Sequence, residues 1–131
     1  MVDIPESYRD LLDAQILALA TIDPAGRPQV SPVWFLAEDG RLRISLNTTR
    51  KKVRNLRRDP KCTAYILDAQ NPLRYLEVRG DAEIEPDDDY VFAGRLGAKY
   101  GANVRGMDGP GETRVVVTIR PVRVNAITIG G

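Results

Sequence analysis

The sequence predicts a mainly β domain, an antiparallel barrel with helices at its periphery, and three observations point there. Runs that alternate polar and apolar residues, such as Arg41-Leu42-Arg43-Ile44-Ser45-Leu46-Asn47, mark half-buried strands. Breaks such as Asp39-Gly40 and Asn71-Pro72 separate the runs in the manner of hairpin turns. The resulting order is helix, three strands, helix, two strands, helix, two strands. Helices do not alternate with strands throughout, as a doubly wound parallel sheet requires.

Each element has its own reason. Residues 5–12 read as a first helix, with Pro5 at the first helical position, Glu6 in the first turn, and Tyr8, Leu11 and Leu12 on one face. A strand over 16–22 ends in the turn Asp23-Pro24-Ala25-Gly26-Arg27-Pro28. The next strand covers 29–36, and its Pro32 suggests a sheet edge or a bulge. Glu38-Asp39-Gly40 turns the chain into the strand over 41–47. Thr48 and Thr49 read as the capping region of a helix over 50–57, which Asp59-Pro60 ends. A strand at 62–67 and a turn at 69–72 lead to a long strand over 74–85, where Gly80 is expected at a bulge. Asp87, Asp88 and Asp89 suit the positive end of a helix over 87–100, with Val91, Phe92 and Leu96 expected on its buried side. Residues 101–111 are too rich in glycine for regular structure and read as a mobile loop or lid. Strands at 114–120 and 122–129 complete the chain, the first carrying the β-branched run Val115-Val116-Val117-Thr118.

Composition narrows the chemistry. At 131 residues the chain makes one domain, 1–131, with 43% apolar and 28% charged residues, so a packed core is within reach. There is no histidine, which removes Ser-His-Asp and Cys-His catalysis and every histidine-ligated metal. The single cysteine, Cys62, can form neither an internal disulfide nor a cysteine-rich metal site, and it reads as a small core residue. No catalytic acid/base pair stands out, so a cofactor is expected to carry any reaction. The N-terminus lacks the pattern of a signal peptide, and the longest apolar run, Ile16-Leu17-Ala18-Leu19-Ala20, is too short to cross a bilayer. The expectation is a soluble cytoplasmic protein with no membrane partner.

Charge is concentrated in one place. Nineteen Lys and Arg against eighteen Asp and Glu give the chain a net charge of +1. Residues 50–61 hold seven of the basic residues and one acid, a net of +6, which leaves the rest at −5. Arg50, Lys51 and Lys52 fall at the start of the expected helix, where the dipole disfavours cations by roughly 0.3–1 kcal/mol each. Free N–H groups, the hydroxyls of Thr48 and Thr49, and these cations together suit a phosphate or another polyanion. The competing reading is a solvated helix face. Nucleic acid is not expected, because no aromatics interleave the cations and the domain as a whole is not basic.

Several segments together resemble the pyridoxamine-phosphate-oxidase-like superfamily, the flavin-binding split β-barrels. They are Leu17-Ala18-Leu19-Ala20-Thr21-Ile22, the stretch from Asp23 to Trp34, Ser45-Leu46-Asn47-Thr48-Thr49-Arg50-Lys51-Lys52, and Asn55-Leu56-Arg57-Arg58-Asp59-Pro60. Within it, the Arg-x-Lys followed by Asn-Leu-Arg-Arg-Asp-Pro is similar to the B group of F420-dependent reductases. The resemblance spans nearly the whole chain and implies an FMN-binding-like split barrel. It further implies a homodimer with two cofactor sites at the subunit interface, and hydride transfer from reduced F420 to an electron-poor C=C or C=N of a small molecule.

The resemblance also implies roles for particular positions. Gln29, Val30, Ser31 and Pro32 would lie along the deazaflavin ring and ribityl chain, with Ser45, Leu46 and Asn47 bordering the same site. Arg50, Lys51 and Lys52 would bind phosphate, with Asn55 a polar neighbour and Trp34 near the ring. Leu73 and Tyr75 would come from the second subunit. Pyridoxamine-phosphate oxidation is not expected, because the strand from Gln29 to Phe35 carries no basic residue for the FMN phosphate and the chain has no histidine. FMN in place of F420, and a carrier without catalysis, remain alternatives.

Overall fold

The computed structural model describes residues 2–130. A 3-10 helix, Glu6–Asp13, precedes β1 (Leu17–Ile22), β2 (Pro28–Val33), β3 (Leu36–Glu38) and β4 (Arg41–Asn47). Helix α1 (Lys51–Arg58) leads to β5 (Lys61–Leu67) and β6 (Arg74–Pro86). Helix α2 (Val91–Tyr100), a 3-10 turn at Arg105–Met107 and β7 (Arg114–Thr128) follow. The strands form one antiparallel sheet in the order β2-β1-β5-β6-β7-β4-β3.

That order forces the sheet to curl. Its two outermost strands, β2 and β3, are joined by only Trp34 and Phe35. Three peptide steps reach at most about 11 Å, whereas seven strands laid flat would span about 29 Å. The edges must therefore approach each other, which makes a mostly β half-barrel split between β2 and β3. Leu17, Leu19, Phe35, Ile44, Ile66, Leu76 and Val117 fill its inside, and α1 adds Val53 and Leu56 to the same core. Helix α2 buries Phe92 and Leu96 against Val116 of β7. The Asp87 carboxylate accepts the N–H groups of Phe92 and Ala93 at 3.2 and 2.9 Å, so this acid satisfies the free donors that open α2.

Several expected boundaries are corrected. The first helix is a 3-10 helix, and Pro5 stands just before it. The expected strand over 29–36 stops at Val33, because Phe35 is taken by the end of α2: its N–H donates to Tyr100 Oη at 3.1 Å and its carbonyl accepts Lys99 Nζ at 3.0 Å. Thr48 and Thr49 do not cap α1. Thr48 Oγ1 pairs with Thr113 and Thr49 Oγ1 donates to Asn47, while Arg50 takes the capping position with no side-chain cap bond. Helix α2 begins at Val91, which is exposed, not buried. Residues 101–111 include one 3-10 turn.

The last two expected strands are one. β7 runs alongside β6 for the full length of β6, and the pairing steps from Arg79↔Arg123 to Gly80↔Pro121. Val122 is thus the extra residue of a bulge, and Pro121 sits where the ladder is already interrupted. Gly80 lies at this irregularity as expected, and a Cβ there would stand 2.3 Å from the Arg120 carbonyl oxygen. Cys62 is buried beside it, and burial pushes its thiol up to about 12, far from a reactive thiolate.

Candidate functional site

A cleft of about 400 Å³ opens where the end of β2, the end of β4, the first turn of α1 and the 104–114 segment converge. From the expected set it gathers Pro32, Ser45, Leu46, Asn47, Arg50 and Lys52. One side is apolar, with Leu96, Val104 and Met107 beside Trp34. The Trp34 indole stacks on Tyr100 with ring centroids 4.2 Å apart and planes within 5°. Because Tyr100 also holds the Phe35 N–H, the break between β2 and β3 presents Trp34 to the cleft in one orientation.

The cationic side is unusual in what it lacks. Lys52 is 5% exposed, yet among the described residues its ammonium makes no hydrogen bond or ion pair with protein. Burial, then the nearby Arg50 charge, lowers its ammonium below the ordinary lysine value. Its ammonium reaches the cleft only partly solvated and without a protein partner, which carries a desolvation cost. A counter-anion in the cleft would relieve that cost. Ser31 Oγ, on the core-facing side of β2, is a buried oxygen without a hydrogen-bond partner among the described residues, and Ser31 lies outside the cleft lining. Of the other cations on α1, Arg54 donates to the Thr49 carbonyl at 3.0 Å and Arg58 to the Ile22 carbonyl. Arg57 and Arg58 occupy the last turn of α1, where the dipole favours them.

Opposite the cations stands a closed polar network. Arg114 grips Asp108 with two bonds of 2.8 and 2.9 Å, and their side chains are only 12% and 3% exposed. Tyr90 Oη donates to Asp108 at 2.6 Å and Asn47 Nδ2 donates to it at 2.9 Å. The Arg114 guanidinium foremost among these bonds holds the Asp108 carboxyl down to about 2. These bonds tie the 101–111 segment to the barrel. Arg114 reaches Asn47 because β4 and β7 pair Asn47 with Arg114.

The remaining expected residues lie elsewhere. Gln29 Oε1 accepts Thr21 Oγ1 at 3.1 Å, and Thr21 Oγ1 accepts Asn55 Nδ2 at 3.1 Å. This chain ties β2, β1 and α1 together, and Asn55, 1% exposed, serves as a tether outside the cleft lining. Val30 and Lys51 are exposed. Leu73 is exposed, and Tyr75 packs against Tyr65 on the outer sheet face with ring centroids 5.2 Å apart. Neither lines the cleft of its own chain. Of the two threonines expected at the anion site, Thr49 lines the cleft and Thr48 does not; sequence reasoning missed Asp108, Glu112 and Arg114. Only the pairing of two distant strands brings Asp108, Glu112 and Arg114 there, and no local pattern marks them.

The family profile described as pyridoxamine 5′-phosphate oxidase matches residues 4–128. The chain belongs to this family. Among solved structures, a protein described as an F420 reductase is 36% identical, with a TM-score of 0.81 over 93% of this chain and 98% of that one. A conserved hypothetical protein of Mycobacterium tuberculosis is 26% identical, with a TM-score of 0.78 over 97% and 86% of the two chains. HupZ of group A Streptococcus, at 22% identity and a TM-score of 0.74 over 98% and 97%, shares the fold. The pyridoxamine 5′-phosphate oxidase family is an oxidoreductase family with a flavin-binding type of split barrel, and the half-barrel described above has that architecture. Among the described residues no helix is long and apolar enough to cross a membrane.

Proposed function

We propose that the chain is an F420-dependent oxidoreductase that reduces electron-poor C=C or C=N bonds of small organic substrates. The observation that carries this reading is Lys52, a largely covered side chain whose ammonium has no protein partner among the described residues and lines the cleft beside Arg50 at the start of α1. The likeness to an F420 reductase over nearly the full length of both chains supports the choice of cofactor. The donor set fits an anionic group: Lys52 and Arg50 supply charge, and Thr49 lines the cleft beside them. The bound cofactor would supply a hydride, and the protein supplies binding, orientation and a partly apolar cleft. Trp34, held flat by Tyr100, forms a rigid wall of that cleft. Lys51 and the remaining basic residues of α1 extend positive charge beyond what one phosphate needs, which suits the longer polyanion of F420 over FMN.

Fluorescence titration with F420 and with FMN tests this. F420 affinity should rise with the length of its glutamate tail and fall with added salt, because exposed charges are screened over about 8–10 Å at physiological ionic strength. FMN should bind more weakly and with a shallower salt dependence. Tighter binding of FMN, with no effect of tail length, would move the chain to the FMN-dependent reading.

The outer sheet face supports a homodimer. Tyr65, Leu67, Val122 and Ile127 are exposed there, Leu73 is exposed in the turn before β6, and the register places Tyr75 opposite Ile127. An apolar strand face of this kind is commonly covered by a two-fold partner. Light scattering at micromolar concentration should give the mass of two chains. A monomer that still binds cofactor would remove Leu73 and Tyr75 from the site.

A further inference from the structure

The cleft holds opposite charges that do not meet. Arg50 and Lys52 line it together with Glu112, yet no ion pair joins Glu112 to either of them, and Glu112 has no cationic partner among the described residues. The side chain that accounts for this is Asn47. Its amide is 8% exposed and uses its full hydrogen-bonding capacity. Nδ2 donates to Asp108 at 2.9 Å and to Glu112 at 3.1 Å. Oδ1 accepts the Thr49 N–H at 2.9 Å and Thr49 Oγ1 at 2.7 Å. Asn47 thus fastens the acidic segment with one end of its amide and the turn that carries Arg50 with the other. The same saturation leaves it nothing to offer a ligand directly.

We infer that Asn47 is a positioning residue that keeps the anion site open, by restraining Glu112 from neutralising Lys52 and Arg50. Resting on the anion-site reading above, the inference concerns only how that site is kept free. Glu112 sits on an exposed segment, and without Asn47 the one hydrogen bond left to its carboxylate among the described residues is from the Gly109 N–H at 2.7 Å. A released carboxylate that shares the cleft with an unpaired ammonium gains a charge-assisted hydrogen bond on reaching it, and it then competes with any incoming phosphate.

Asn47→Ser is the variant of choice, because a serine oxygen can still accept the Thr49 N–H while the two amide donors are lost. F420 and FMN affinities are read by fluorescence for the unchanged chain, Asn47→Ser, Glu112→Gln and the double variant, with thermal midpoints recorded for each. Asn47→Ser should weaken the cofactor that binds by about tenfold, as expected when a charge-assisted bond is contested. Adding Glu112→Gln should restore affinity to near that of the unchanged chain, since a neutral amide no longer competes. A purely structural role for Asn47 would not be rescued by a change at Glu112. If the double variant stays as weak as Asn47→Ser, or if Asn47→Ser binds as well as the unchanged chain, the inference is wrong while the anion site stands. If the unchanged chain binds neither cofactor, the anion-site reading fails and takes this inference with it. Should Asn47→Ser fold poorly, Asn47→Ala with and without Glu112→Gln carries the same comparison.

Discussion

Asp108→Ala should cost about 3–5 kcal/mol of folding stability, the range for breaking one half of a buried ion pair. The loss exceeds that of an ordinary surface pair because the Arg114 guanidinium would be left 12% exposed with only the Ser45 hydroxyl, at 3.2 Å, for company. Tyr90 Oη and one Asn47 donor would lose their acceptor as well. Against a typical total of about 5–15 kcal/mol, such a change threatens the fold. The pH dependence has a definite sign. The Asp108 carboxyl is held at about 2 in the folded chain against an ordinary value of 3.8. Its contribution is therefore complete above about pH 4 and is lost as the pH falls through about 2. Urea unfolding of the parent and the variant should differ most near neutrality and converge toward pH 2. A difference below about 1 kcal/mol at pH 7 would mean that Asp108 is not the latch of this segment.

Lys52→Ala should move binding and stability in opposite directions. Cofactor affinity should fall by about 1–3 kcal/mol, the range for a lost hydrogen bond to a charged group. Folding stability should stay level or rise, because the change removes a partly desolvated ammonium that no group among the described residues satisfies. An ordinary structural lysine would behave otherwise, losing stability when truncated and leaving the ligand indifferent. Two measurements on one variant, a cofactor titration and a urea midpoint, therefore separate a binding residue from a packing residue. Unchanged affinity in Lys52→Ala and in the Arg50→Ala/Lys52→Ala pair would reject the placement of the anion at the start of α1.

Features visible in the sequence were those whose cause is local. Pro32 announces an edge because it lacks an N–H, and β2 is indeed an edge strand. Gly80 announces the irregularity opposite Pro121. The cations of residues 50–52 stand out against the dipole of their own helix. What escaped has distant causes. Trp34 and Phe35 look like strand interior, and it is Lys99 and Tyr100 that withdraw Phe35 from the ladder. Arg120-Pro121-Val122 looks like a chain break, yet a bulge absorbs the proline and β7 continues. Asp108 and Glu112 lie in a glycine-rich stretch without periodicity, and their place in the cleft depends on the Asn47–Arg114 pairing.

The position of β7 in the sheet sets a timetable for synthesis. Strand β4 has β3 on one side and, on the other, only β7. A ribosome adding about 5–20 residues per second needs roughly 3–13 s to pass from Asn47 to Arg114. Throughout that interval the β3–β4 hairpin has no backbone pairing with the rest of the sheet and carries a row of unpaired backbone groups along one edge. The nascent chain is most exposed to misassociation in that window. The cleft gains its Arg114 wall only when the final strand docks, so the complete cleft exists only after β7 has been made.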